Sequence, residues 1–292
     1  MGTIYIVGTP IGNLSDFSPR AVQTLREVDF IAAEDTRVTL KLLNYFDIKK
    51  PLVSYHEHNL RERGEAIIER VQNGENVAVV SDAGMPCISD PGEDIVRLAA
   101  AAGIRTFVIP GPSAAVSALC ISGLVTSRFS FEGFLSTNRK NRREHLYSLQ
   151  EDTHTLIFYE APHKLLDTLK DMAAVFGEER RVSLCREMTK IHEEVFRTDF
   201  RGAIEHYTEV TPKGEFVLIV EGASPKKPPE MTLEDAVAEA KALTGEGLRA
   251  TDAAKQVSAH SQFKKSEIYS ALVALLSRAS ASESASEPDE NE

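Results

Sequence analysis

The feature that most constrains this chain is an alternation of two periodicities through its first 113 residues. Short apolar runs at 3–7, 30–33, 51–55, 76–80 and 105–109 have the length and β-branched content of buried strands. Between them, 20–28, 38–46, 60–73 and 93–102 carry apolar residues at helical spacing. Ser18-Pro19 reads as a helix cap followed by proline in the first turn, and Gly74 and Gly103 stand where a glycine closes a helix. Strands separated by helices predict a mostly parallel sheet covered on both faces. In such a sheet the loops leaving the carboxyl ends of the strands gather on one edge, where ligands bind.

Four of those loops are strongly polar: Gly8-Thr9-Pro10-Ile11-Gly12-Asn13-Leu14, Glu34-Asp35-Thr36-Arg37, Tyr55-His56-Glu57-His58-Asn59 and Ser81-Asp82-Ala83-Gly84-Met85-Pro86-Cys87-Ile88-Ser89-Asp90-Pro91-Gly92. One alone would be ordinary turn chemistry; four on one edge make a carboxylate-rich cleft. In the last, glycines permit close backbone approach and prolines fix the turns. It holds neither G-x-G-x-x-G nor Gly-Lys-Ser/Thr, which points to a ligand held by hydrogen bonds and shape rather than by phosphates. Asp90, before Pro91-Gly92, reads as a cap for the helix that follows. Pro110-Gly111-Pro112-Ser113-Ala114-Ala115 leads into a helix of small residues whose first N–H groups are free to face a ligand. His56 and His58 flank Glu57 but lack a further set of ligands, so no metal site is expected.

Beyond Ser113 the rhythm changes. Strands are predicted at 129–135, 155–159, 181–185, 195–198 and 216–220, some close enough in sequence to be antiparallel neighbours, with helices at 142–150, 163–176 and 200–207. This divides the α/β part into an N-terminal domain, 1–112, and a second α/β domain, 113–224. Pro225-Lys226-Lys227-Pro228-Pro229 reads as a stiff linker. Helices at 233–243, capped by Thr232, and at 251–258 and 267–276 suggest a small helix-turn-helix-like module over 225–278. The Ser/Glu/Asp run 279–292 is expected to be a disordered acidic tail.

A net charge of −11 argues against nucleic-acid binding by the whole surface but leaves room for a local patch. Arg139-Lys140-Asn141-Arg142-Arg143 is such a patch. Cations at a helix start oppose its dipole, and that cost favours a polyanionic partner, most plainly RNA. The three cysteines form no C-x-x-C pair, which suggests neither disulfides nor zinc and a reducing cytoplasm. No basic leader precedes the first strand, and no apolar run approaches a membrane span. Tyr159-Glu160-Ala161-Pro162-His163 and Arg186-Glu187-Met188-Thr189-Lys190 place ionisable groups at strand ends of the second domain. For Arg186 and Glu187 an ion pair is the plainer role.

Taken in order, Thr9-Pro10-Ile11-Gly12-Asn13-Leu14, Ala33-Glu34-Asp35-Thr36-Arg37, Tyr55-His56-Glu57-His58-Asn59, Ser81-Asp82-Ala83-Gly84 with Ile88-Ser89-Asp90-Pro91-Gly92, and Pro110-Gly111-Pro112-Ser113-Ala114 form a specific set. The set resembles the small-subunit ribosomal RNA cytidine 2′-O-methyltransferases of the tetrapyrrole methylase superfamily. The resemblance covers residues 3–222 and includes Lys213-Gly214-Glu215-Phe216-Val217. Gly8, Met85 and Cys87 depart from the family's more usual Ala, Thr and Leu.

The resemblance implies two α/β domains of tetrapyrrole-methylase type, S-adenosylmethionine folded into the cleft between them, and a homodimer. It implies cofactor contacts at Pro10, Asp82, Met85, Ser113 and Ala114, with Phe158 or Tyr159 and residues near Phe216 on the far wall. The implied substrate is a cytidine ribose in the decoding region of small-subunit (16S) rRNA, presented as rRNA or as the small ribosomal subunit. Methyl transfer needs in-line approach and help with the hydroxyl proton. Glu187 and Lys190 are the pair expected to orient the hydroxyl, with Glu160, His163 and Asp35 as further candidates. Arg37, Arg139, Lys140, Arg142, Arg143 and Arg186 are expected to meet RNA phosphates. Two readings from other classes stay open at this point. A methyltransferase acting on a small molecule such as a tetrapyrrole would not need the basic cluster. A non-catalytic RNA-binding module led by the C-terminal helices would not need Asp82.

Overall fold

The computed structural model describes residues 1–56, 59–224 and 231–284. The chain divides into two compact units, Met1–Ala223 and Ser224–Glu292. The first unit opens with five strands, β1 (Thr3–Val7), β2 (Phe30–Ala33), β3 (Leu52–Ser54), β4 (Val77–Val80) and β5 (Arg105–Ile109), all parallel in the order β3-β2-β4-β1-β5. Four helices alternate with them: α1 (Pro19–Glu27), α2 (Thr36–Tyr45), α3 (Leu60–Gln72) and α4 (Glu93–Ala101). The period of two sorts β1, β2 and β4 between two cores, whereas β5 is exposed over Arg105–Val108. Ile4, Ile6, Phe30, Ala32, Val77 and Val79 pack with α3 and α4. Val7, Ile31, Ala33, Ala78 and Val80 pack with α1 and α2. Because both faces are covered, these strands read as continuous apolar runs.

A second sheet follows, formed by β6 (Phe129–Phe134), β7 (Thr155–Glu160), β8 (Arg181–Arg186), β9 (Glu194–Asp199) and β10 (Phe216–Val220) in the order β6-β7-β10-β8-β9. Only β6 and β7 run parallel; the other three pairings are antiparallel. One face packs on α5 (Ala114–Ser122) through Ala115, Ala118 and Leu119. The other packs on α6 (Arg139–Ser148), α7 (Leu165–Phe176) and α8 (Phe200–Glu209). The guanidinium of Arg197, on β9, donates to the carbonyls of Ile121 and Ser122 and so caps the C-terminus of α5. Helix α6 begins three residues before the predicted 142, because the Asn138 side chain accepts from the N–H groups of Lys140 and Asn141. The whole basic run therefore lies in its first turns.

In the second unit α9 (Leu233–Gly245), α10 (Ala250–Ser258) and α11 (Lys265–Ser284) share a core of Ala236, Val237, Ala240, Ala253, Ala254, Val257, Ile268 and Leu272. Thr232 and Asp235 form a reciprocal capping box at the start of α9. Helix α11 runs to Ser284, past Ala279 where the disordered tail was expected to begin. Ala and Glu extend a helix that is already nucleated, whatever their polarity. The predicted linker at 225–229 and the rest of the tail from 285 lie outside the described residues.

Candidate active site

The carboxyl ends of the first sheet and the second sheet enclose a cavity of about 510 Å³, within the range of small-molecule sites. The first sheet contributes Ile11 after β1, Glu34 after β2, and Asp82–Met85 and Ile88–Asp90 after β4. Ser113 and Ala114 enter from the start of α5. The far wall holds Phe134, Tyr159, Glu160, Cys185, Met188 and Glu215–Val217.

Backbone contacts lock the near wall together. Thr9 and Gly84 exchange N–H···O bonds of 2.8 and 3.1 Å, which joins the first loop to the fourth. Asp82 Oδ1 accepts from the Asp35 N–H at 3.1 Å, and the Asp82 N–H donates to Glu34 Oε2 at 3.2 Å. Gly8 and Gly111 touch backbone to backbone: a methyl on Gly8 would fall 2.7 Å from Gly111 Cα and 2.6 Å from Met85 Sδ. The Gly111 N–H in turn points to Met85 Sδ at 3.3 Å. Met85 thus fills space that the missing side chain of Gly8 leaves open.

On the far wall the Tyr159 ring meets Phe131 and Phe134 edge-on, with centroids 5.0 and 5.4 Å away. Its hydroxyl accepts from the Ala115 N–H at 3.2 Å, and burial pushes the phenol pKa up. The Ser113 side chain makes no cap bond, so at the start of α5 the Ala115 amide is met by Tyr159 instead, and Ser113 and Ala114 face the cavity.

The cavity is negatively charged. Burial raises the pKa of Glu34 and Asp82, and burial together with the charge of Glu34 brings Asp90 up to about 6. Among the described residues no Lys or Arg forms an ion pair with any of these three. Three desolvated carboxylates without a cation suit a positively charged ligand. Asp90 is therefore a lining group; the N-cap of α4 is Gly92, which corrects the capping role expected for Asp90.

The structure sorts the predicted site residues. Asp82, Met85, Ser113, Ala114 and Tyr159 all line the cavity. Pro10 is buried behind it, and its neighbour Ile11 reaches the wall instead. Glu187 and Lys190 stand just outside: Lys190 Nζ donates to Glu187 Oε1 at 2.8 Å and to Glu215 Oε2 at 3.0 Å, and Glu215 lines the mouth. The hydrogen bond from Lys190 holds the Glu187 carboxyl below its usual range. For Lys190, burial pulls the pKa down, but the bonds to Glu187 and Glu215 outweigh it and the net shift is upward. Neither group is poised to accept a proton at neutral pH. Glu160 bonds the Thr168 hydroxyl at 2.6 Å and the Ala161 N–H at 2.8 Å, so its carboxylate is already satisfied.

Of the cations, Arg142 departs most from expectation. It is buried, with Nε and Nη2 donating to Asp171 Oδ2 at 2.9 and 2.6 Å, and cannot reach a phosphate. Arg186 pairs with Glu194 across β8 and β9, and Arg37 with Asp35 at 2.6 Å. Arg139, Lys140 and Arg143 remain together on the surface of α6. Glu57 and His58 lie outside the described residues, and no cluster with metal-ligand character occurs among those described.

Sequence reasoning put the loops of Glu34 and Asp90 in a carboxylate-rich cleft without naming either as a ligand contact, and it missed Phe134. Glu34 and Asp90 sat inside quoted motifs, and the post-strand position common to both was the available signal. Among the described residues, four of the five non-glycine residues with positive φ lie in loops that border the cavity: Cys87 and Ser89 after β4, Glu187 and Thr189 after β8. Nothing in composition marks such backbone strain, which concentrates at functional sites.

Both the sheet pair and the cleft are those of a tetrapyrrole methylase. The profile of the tetrapyrrole (corrin/porphyrin) methylases matches residues 3–203. Solved structures agree at the level of fold: the methyltransferase CobJ has a TM-score of 0.58 at 18% identity over 77% of this chain and 96% of its own. Uroporphyrin-III C-methyltransferase from Thermus thermophilus has a TM-score of 0.53 at 19% identity over 75% and 94%. Within that class the chain belongs to the ribosomal RNA small subunit methyltransferase I family. It is 46% identical to the protein of that name from Synechocystis sp. over 92% of this chain and 96% of the relative. Against that from Halalkalibacterium halodurans it is 48% identical over 92% and 93%. The Thermotoga maritima relative is 49% identical over 222 residues, 76% of this chain but 99% of its own length, so it has no room for a counterpart of the whole chain.

Proposed function

We propose that this protein methylates the 2′-hydroxyl of a cytidine in the decoding region of small-subunit rRNA, with S-adenosylmethionine as donor. The observation that carries the reading is near-half identity over almost the full length of relatives named for that RNA. The cavity fits the donor by its chemistry: carboxylates for a cation, an apolar wall of Ile11, Met85, Phe134 and Val217, and the start of α5. When bound, S-adenosylmethionine supplies a methyl group on a positively charged sulfonium, open to in-line displacement by an oxygen.

The chain's own residues do the rest. Glu34, Asp82 and Asp90 hold negative charge where the sulfonium would lie. The apolar wall keeps water away from the reacting atoms. The Glu187–Lys190–Glu215 chain at the mouth orients the acceptor ribose as a set of hydrogen-bonding groups, Lys190 donating and the carboxylates accepting. Asp90, with a pKa near 6, is the cavity carboxylate best matched to take the hydroxyl proton near neutral pH.

A homodimer and a cytoplasmic location complete the proposal. Strand β5 is the edge strand of its sheet, with no further strand paired to it among the described residues, and Phe107 and Val108 are exposed on it. A second copy covering that edge would remove an aggregation-prone feature. The three cysteines are all free, as a reducing compartment requires, and no described helix is long and apolar enough to cross a membrane.

The test is transfer of labelled methyl from S-adenosylmethionine to small-subunit rRNA, with the product mapped to a cytidine 2′-oxygen. Persistence of that ribose methylation in a strain lacking the gene would refute the reading. Calorimetric titration with S-adenosylmethionine separates it from a non-catalytic binding role.

A further inference from the structure

We infer that the outer face of α6 is a subsite for single-stranded RNA, where Tyr147 stacks on a base and Arg139, Lys140 and Arg143 meet the flanking phosphates. The inference rests on the rRNA reading above and adds to it a place and a mode of contact.

Arg139, Arg143 and Tyr147 recur at intervals of four along α6 and so form one stripe, with Lys140 and Glu144 beside it. These five residues line a shallow surface groove. Arg142, from the same basic run, faces the opposite way. Besides its two bonds to Asp171, its Nη1 donates to the Ser136 carbonyl at 3.3 Å, so it ties both the helix and the preceding loop to α7. The anchored helix cannot roll its remaining cations inward.

The charge on the outer face is left unbalanced. Asp171 serves Arg142 and Arg139 together, the latter at 3.3 Å. Lys140 faces Glu144 at 3.8 Å, and Arg143 has no ion-pair partner among the described residues. Two guanidiniums on one carboxylate, plus a third unpaired, leave a surplus of positive charge. The surplus sits on the first turns of the helix, where the backbone dipole is also positive. A structure that gathers like charge there, on a protein of net charge −11, is complementary to an anion.

Tyr147 decides which anion. Tyr147 is 51% exposed and packs on no other aromatic ring among the described residues. An exposed ring in line with cations matches the pattern that binds single strands, in which phosphates meet the cations and a base lies on the ring. A duplex keeps its bases stacked and offers the ring no face. The groove is also well placed. Strand β6 ends at Phe134, a cavity residue, and α6 starts five residues later, a chain reach of at most about 18 Å. One strand could occupy both the cavity mouth and the groove.

The experiment measures binding of a fluorescently labelled single-stranded RNA oligonucleotide by anisotropy for the full-length protein, Tyr147→Ala, Tyr147→Phe and Arg143→Ala. Tyr147→Ala should weaken binding about tenfold and Tyr147→Phe by less than about threefold, since the ring and not the hydroxyl carries the contact. Arg143→Ala should reduce the slope of log affinity against log salt by about one. Thermal unfolding of each variant guards against misfolding, and all three surface variants should leave the melting temperature in place. Wild-type affinity in Tyr147→Ala, or equal loss in Tyr147→Phe, overturns the inference. So does a loss seen only with intact small subunits and not with free RNA, which would assign the groove to a ribosomal protein. Methylation by the wild type is scored separately: an oligonucleotide bound through Tyr147 without any rRNA methylation would sink the proposed activity and leave the subsite standing.

Discussion

Asp90 shows how one side chain sets both stability and chemistry. Its folded pKa of about 6 lies above the ordinary aspartate value, so the native state binds that proton more tightly than the unfolded chain does. The associated stability is fully present below about pH 4 and is lost as pH rises toward 6. Asp90→Asn should therefore raise the melting temperature at pH 7 and flatten its fall between pH 4 and 6. Discounted for the solvent that reaches a half-buried group, the gain is on the order of 1 kcal/mol. The same variant should bind S-adenosylmethionine more weakly by calorimetry; unchanged affinity would remove Asp90 from the cationic site. Gly8 and Met85 supply a second test. Gly8→Ala drives a methyl into Met85 Sδ and the Gly111 backbone, a destabilisation of about 1–3 kcal/mol. Met85→Thr in the same chain should relieve part of it, and chemical denaturation of the four proteins of the cycle measures the coupling. Additive effects would show that the two positions adjust independently.

At the scale of elements, α6 depends on a buried ion pair, and β5 leaves one edge of its sheet open. Asp171→Ala leaves the Arg142 guanidinium buried without its carboxylate, and unfolding measurements should show a loss of about 3–5 kcal/mol. Val108→Lys places a charge on the open edge of β5 and should convert the proposed dimer to monomer in sedimentation; a dimer that persists would locate the interface elsewhere, and a monomeric wild type would refute the dimer. These two elements also mark where sequence reading succeeded and where it stopped. The bounds of β1, β2, β5 and β10 were legible to the residue because each is a short apolar run bounded by turn residues. The orientation of Arg142 was not: five adjacent residues, four of them basic, look alike until Asp171, 29 positions away in sequence, captures one of them. Likewise Asp82 and Tyr159 were visible as strand-end motif residues, whereas Phe134 entered the site only through the geometry of the second sheet. The positive φ of Thr189 was equally hidden, since a β-branched residue carries no propensity for that region.

For the whole molecule, the two units differ in what they contribute. The first contains the cavity, both sheets and α6; the second has its own core of three helices. A chain ending at Ala223 should keep a cooperative thermal transition and bind S-adenosylmethionine with full-length affinity. Failure to fold would show that the helical unit is part of the scaffold rather than an addition to it. The charge of the cavity has a consequence for the direction of turnover. Donor and product differ by one positive charge, because the sulfur becomes a neutral thioether once its methyl group has left. If the donor binds as proposed, Glu34, Asp82 and Asp90 lose the sulfonium's share of their attraction on transfer, so S-adenosylmethionine should bind more tightly than the demethylated product in calorimetric titration.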